Sequence, residues 1–269
     1  MVKRWASDTP EPKDAYEALH EGLTVDLICT PVASLKTCKP DDLISDVIKQ
    51  NPDDFDFLPV VDENNRFIGM FCAAEHRHHQ TLDTVWRCFS PLSEKYLIGA
   101  DASILDFLLD ADQRQCRLVL SRSKIVGLVS LSDLQKLPVR AAIFALVTGL
   151  EITMAQRIRE FYPADADWLC HLASRRQEKI EEERRKAKDD DSYVDALLFT
   201  QFCDKRDILE QHLPKERRRV FSEALNRIEC LRNNIAHANE YASSLTEAKT
   251  VCEVIRELLL LRNELRRLD

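Results

Sequence analysis

The sequence predicts an α+β protein in which two copies of a β-α-β-β-α unit precede an all-helical bundle. Three observations predict it. FLPVVDENNRFIGMFCAAE (57–75) aligns with CRLVLSRSKIVGLVSLSDL (116–134), with Gly69 falling on Gly127 at an offset of 58 residues. Each copy has an apolar run, a polar turn (DENN; SRSK) and a second apolar run, the pattern of a β-hairpin. Beyond Pro138 the apolar spacing changes to that of helices and stays so to the end of the chain.

The elements follow in order. The first residues are polar and carry Pro10 and Pro12, so 1–21 reads as a loosely ordered tail. DDLISDVIKQ (41–50) and DASILDFLLD (101–110) precede the two hairpins and read as helices, each opening on an Asp that serves as N-cap. The units are bounded at 22–80 and 81–138, and 139–269 is the helical part. There, 137–161 shows helical spacing and Pro163 ends it. Residues 165–188 open acidic and close basic, as the helix dipole favours, and DDDS breaks the chain at 189–192. The stretch 193–213 is amphipathic, Pro214 starts the next helix, and 245–268 carries heptad-like apolar positions, giving about five helices.

Composition narrows the function classes. With only 5 glycines there is neither a P-loop nor a dinucleotide fingerprint. No apolar run approaches the roughly 20 residues that span a bilayer. The longest, AAIFALV at 141–147, follows Arg140, and the two basic residues at the N-terminus have no apolar core behind them. A cytoplasmic protein without membrane contact is expected. The 9 cysteines are scattered without a C-x-x-C pair and read as reduced, mostly buried thiols. Cys72 with Glu75, His76, His78 and His79 has the composition of a metal cluster but lacks a second half at ligand spacing, so no metal is expected. The net charge of −8 does not advertise nucleic-acid binding. Residues 1–150 hold 16 basic and 22 acidic side chains, whereas 151–269 hold 22 and 24 and include the run Arg217, Arg218, Arg219.

The duplicated unit resembles a pair of CBS (cystathionine-β-synthase) domains, the Bateman module, over about 22–137. In that family the hairpin ends roughly as G-h-x-[ST]-x-x-D, h being apolar. The resemblance implies that the Asp accepts ribose hydroxyls and that the Ser or Thr lies near ribose or phosphate. GLVSLSD fits in the second copy, which makes Ser130, Ser132 and Asp133 candidate adenine-nucleotide residues. The first copy reads GMFCAAE, with Cys72 and Glu75 at the matching positions, and a thiol is a poor substitute for a hydroxyl. Capping of the following helix by Ser130 and Asp133 is the plain structural reading of the same residues.

In the helical part, RNNIAH (232–237) fits the R-x4-H pattern of the HEPN family, an α-helical domain of many prokaryotic toxins and defence ribonucleases. The resemblance covers about 139–269. It implies metal-independent RNA cleavage, with no cofactor for catalysis. His237 acts as general base or acid, Arg232 holds the scissile phosphate, and Asn233 orients phosphate or histidine. Products end in a 2′,3′-cyclic phosphate. On a helix Arg232 and His237 lie about 140° apart, so a shared cleft across a homodimer is expected. The plain reading pairs Arg232 with Glu229 and lets His237 cap the helix. The whole is read as a nucleotide-regulated endoribonuclease of toxin or phage-defence type. A non-catalytic ligand-sensing scaffold is the alternative.

Overall fold

The computed structural model describes residues 21–77, 82–189 and 195–267. The expected tail up to residue 20, His78, His79 and residues 190–192 of the DDDS break lie outside them. The chain divides into two compact units, His20–Val139 and Arg140–Asp269.

In the first unit the elements run β1 (Thr30–Pro31), α1 (Ile44–Lys49), β2 (Phe57–Val61), β3 (Phe67–Cys72), β4 (Ser90–Pro91), β5 (Leu97–Gly99), α2 (Ile104–Asp110), β6 (Cys116–Ser121) and β7 (Lys124–Ser130). Both expected hairpins form, β2 against β3 and β6 against β7, antiparallel. At the first turn the Asp62 carboxylate accepts the N–H groups of Asn64 and Arg66, each at 2.8 Å, and Asn65 takes the left-handed conformation that Asn tolerates (φ 58°). The element that closes each unit is a 3-10 turn rather than a longer helix: Ala73–His76 in the first, Leu131–Gln135 in the second.

The two repeats exchange strands. β1 of the first pairs with β7 of the second, and β4 of the second pairs with β3 of the first. The sheets are therefore β2-β3-β4 and β1-β7-β6-β5, with β5 parallel to β6. The backbone exchange is reciprocal as well. Val25 N–H donates to the Ala102 carbonyl (2.9 Å) and Ile104 N–H to that of Leu23 (2.8 Å), while Val85 N–H donates to Asp42 and Ile44 N–H to Asp83, both at 3.0 Å.

This crossing explains the paired glycines. A Cβ on Gly127 would lie 2.5 Å from the Thr30 carbonyl oxygen of the crossing β1. On Gly69 it would strike the Ser90 carbonyl oxygen of β4 and the Phe89 ring. No side chain fits beneath either exchanged strand.

The same exchange corrects the expected caps. α1 and α2 start not on Asp41 and Asp101 but after Leu43 and Ser103, two residues further on. Their first N–H groups are taken by the partner repeat's carbonyls, so a side-chain cap is needed less. Only Ser103 supplies one, its Oγ accepting Leu105 N–H at 3.1 Å.

Strand alternation builds two cores. Phe71, Leu58 and Val60 pack with Ile44, Val47 and the exchanged Val85. On the other face Met70 packs with Cys116 and Leu118 between the two sheets.

The second unit is helical: α3 (Leu137–Phe161, entering from the first unit), α4 (Asp165–Leu169), α5 (Ser174–Asp189), α6 (Phe202–His212), α7 (Lys215–Ala236) and α8 (Leu245–Arg267). Two of the five expected helices are broken. The 165–188 stretch turns between Leu169 and Ser174, where the Gln177 amide donates to the Leu172 carbonyl (2.6 Å) and Trp168 and Leu172 are both buried. The 193–213 stretch opens with a 3-10 turn, Ala196–Phe199. Gln201 then caps α6, its N–H bonded to the Asp204 carboxylate at 2.7 Å. Asp204 is itself buried against Arg176, so the break places a paired charge in the interior.

α7 buries Phe221, Ala224, Leu225, Ile228, Leu231 and Ile235, the three- and four-residue spacing of a single stripe. α3 is the one helix among the described residues long and apolar enough to cross a membrane. Its buried positions, Ala142, Leu146, Leu150, Met154 and Ile158 among them, are core of this protein. All nine cysteines are free thiols.

Candidate functional site

The second repeat brings Ser130, Ser132 and Asp133 together where β7 runs into its 3-10 turn. Ser130 N–H donates to Asp133 Oδ2 at 2.6 Å, and the Ser130 and Ser132 hydroxyls lie 2.8 Å apart. Ser130 and Asp133 thus form a capping box. The structural role read from the sequence is present, and the ligand role must coexist with it.

Asp133 is buried, and its other oxygen is also occupied. Lys136 Nζ sits 2.7 Å from Oδ1. The same ammonium donates to the Ile28 carbonyl at 2.5 Å, tying the first repeat's chain to the second repeat's carboxylate. Burial pushes the Asp133 carboxyl above its ordinary value, and Lys136 and the Ser130 N–H pull it back down. Sequence reasoning misses Lys136 and Ile28. The signal for Lys136 is its place three residues after Asp133; the Ile28 carbonyl carries none.

The matching positions of the first repeat are built differently. Cys72 is the N-cap of Ala73–His76 and makes no side-chain cap bond, Ala74 has no hydroxyl, and Glu75 is exposed. Burial pushes the Cys72 thiol up, so it stays protonated and is a weak hydrogen-bonding group. Among the described residues no group of three or more His, Cys, Asp and Glu is placed to hold a metal.

The second candidate constellation sits at the end of α7. Arg232 is half-buried, and Asn233 and His237 are exposed. The helix ends at Ala236, so His237 occupies the C-cap rather than the helix proper. Its backbone N–H still bonds the Asn233 carbonyl (3.0 Å). A Schellman turn follows: Asn239 N–H bonds the Asn234 carbonyl (2.9 Å) and Ala238 N–H that of Ile235 (3.2 Å). Ala238 stands at φ 55° where glycine is usual, a strained residue directly after His237.

The Arg232–Glu229 pair of the plain structural alternative does not form; Glu229 is 3.3 Å from Arg206, which also bonds Asn226. Among the described residues Arg232 has no salt bridge. None of Arg232, Asn233 and His237 lines the neighbouring cavity of about 230 Å³, which is bounded by Leu231, Asn234 and Tyr241 among others.

Each arginine of the basic run has a partner within the helical unit. Arg217 pairs with Glu264 (2.9 Å), Arg219 with Glu223 (3.8 Å), and Arg218 donates to the Leu213 and Gln211 carbonyls at the end of α6.

Residues 26–74 form a CBS domain, by their match to the family model of that description. The chain is similar to solved CBS-domain structures over a little under half its length. One is the CBS domain of the bacterial CNNM/CorC family Mg2+ transporter in complex with ATP, with 18% identity, 46% of this chain and 94% of that chain covered, and a TM-score of 0.38. Another is a hemolysin-like protein containing a CBS domain from Oenococcus oeni PSU, at 11% identity, 45% and 92% covered, TM-score 0.37. A third is CBSX2 in complex with AMP, at 19% identity, 45% and 97% covered, TM-score 0.35. No curated protein matches the chain.

Proposed function

We propose that the first unit is a nucleotide-sensing module whose ligand site lies in the second repeat. The observation that carries this is the cluster of two adjacent hydroxyls and a buried carboxylate at Ser130, Ser132 and Asp133. It stands at the family's hairpin-end motif, in a unit whose other repeat is a CBS domain. Asp133 accepts the ribose hydroxyls of an adenine nucleotide, and the paired serine hydroxyls face its phosphate. Calorimetry with AMP and ATP tests it. Asp133→Asn should weaken binding about tenfold or more, since hydrogen bonds to a charged group are the strong ones. Absence of heat with either nucleotide sinks the reading.

For the helical unit the reading is a HEPN-like, metal-independent endoribonuclease acting as a homodimer under the sensor's control. Support comes from the motif and its accessibility: Arg232 is not spent on Glu229, and Asn233 and His237 are exposed at one helix end. His237 moves the proton of the ribose 2′-OH or of the leaving 5′-oxygen, and Arg232 holds the phosphate. DNA, lacking the 2′-OH, is not cut. A toxin or defence role rests on the family resemblance alone. Incubation with total RNA in EDTA should yield fragments ending in 2′,3′-cyclic phosphate. His237→Ala should slow this by about 10²-fold or more. Equal degradation by the variant leaves the helical unit a non-catalytic scaffold.

A further inference from the structure

One side chain stands on the Asp133 carboxylate of the candidate site. Lys136 stands with its ammonium on Asp133 Oδ1 (2.7 Å) and on the Ile28 carbonyl (2.5 Å). The Asp133 side chain is 6% exposed and that of Lys136 39%, so the lysine is on the solvent side of the pair. The other oxygen, Oδ2, is held by a backbone N–H that cannot swing away. A ribose diol reaching Asp133 therefore takes the oxygen that Lys136 now holds.

We propose that Lys136 sets the specificity of this site, making it select phosphorylated ribonucleosides over bare nucleosides. The inference rests on the reading of Asp133 as the diol acceptor. A displaced ammonium loses its carboxylate and keeps only a neutral carbonyl, Ile28. With the lysine side chain 39% exposed, water offsets part of that loss and a second anion offsets more of it. A phosphate on the same ligand supplies that anion, beside the Ser130 and Ser132 hydroxyls. A nucleoside offers the diol and no replacement.

The test is calorimetry of the full chain with AMP and with adenosine, on wild type, Lys136→Met, Lys136→Gln and Lys136→Arg. Wild type should prefer AMP by about 30-fold or more, the scale of one charge-assisted hydrogen bond to the phosphate. In Lys136→Met and Lys136→Gln the preference should collapse to about threefold or less, with adenosine binding tighter and AMP weaker. Lys136→Arg keeps the charge and should keep the preference. Two neutral variants guard against one that folds poorly, and opposite movement of the two ligands is not a signature of a loosened fold. A neutral variant with the wild-type AMP-to-adenosine ratio overturns the role of Lys136 and leaves the site standing. Failure of wild type and all variants to bind either ligand overturns both the site and its specificity residue.

Discussion

β3 of the first repeat runs out into Cys72, Ala74 and Glu75, whereas β7 of the second runs out into Ser130, Ser132 and Asp133. Around these residues the two repeats are built alike. Each accepts a strand from the other, and each needs a glycine beneath that strand. The chemistry is not alike: one end carries an uncapped turn with an exposed Glu75, the other a capping box with a buried carboxylate and its lysine. The strand exchange and its glycine are therefore common to both repeats, whereas the capping box and its lysine belong to the second alone.

That separation can be broken experimentally. Gly127→Ala and Gly69→Ala should each cost about 2–3 kcal/mol in chemical denaturation, because backbone stands where the methyl would go. A difference between them above about 1 kcal/mol would show that the repeats are not equivalent scaffolds. Asp133→Asn should cost about 2 kcal/mol, since Lys136 loses its ion partner and the capping box loses its carboxylate. Glu75→Gln at the matching exposed position should stay within about 0.5 kcal/mol in the same denaturation. Ala238→Gly, outside both repeats, should raise stability by about 0.5–1 kcal/mol through relief of the left-handed strain, and it gives a scale for the others. Cys72→Ser should stabilise by a few tenths of a kcal/mol, roughly the worth of a weak hydroxyl cap on a short turn. A loss on thermal denaturation would mean that the thiol is packed rather than merely uncapped.

Much of the scaffold is legible in the sequence because it is periodic. The alternation of FLPVV and CRLVLS, the turns and the offset of Gly69 and Gly127 give both hairpins. The spacing of α7 and α8 gives the bundle. The strand exchange is not legible: β1 and β4 are two residues each, and their pairing is fixed by backbone contacts far along the chain. The same long-range bonds move the helix starts past Asp41 and Asp101. At the site, the motif finds Ser130 and Asp133. It does not find Lys136, although that residue stands three places after Asp133, nor the Ile28 carbonyl, whose contact with Lys136 exists only once the first repeat's chain crosses the second. The Arg232–Glu229 pair fails for a similar reason: helix spacing permits it, but Arg206 on α6 reaches Glu229 first.

The contrast between the repeats comes down to whether the second alone takes a ligand, as proposed above. Titration of AMP into wild type, Asp133→Asn and Glu75→Gln by calorimetry tests it most directly. One AMP per chain is expected, its binding abolished or strongly weakened by Asp133→Asn and unchanged by Glu75→Gln. Two AMP per chain, or binding lost with Glu75→Gln and kept with Asp133→Asn, would contradict it.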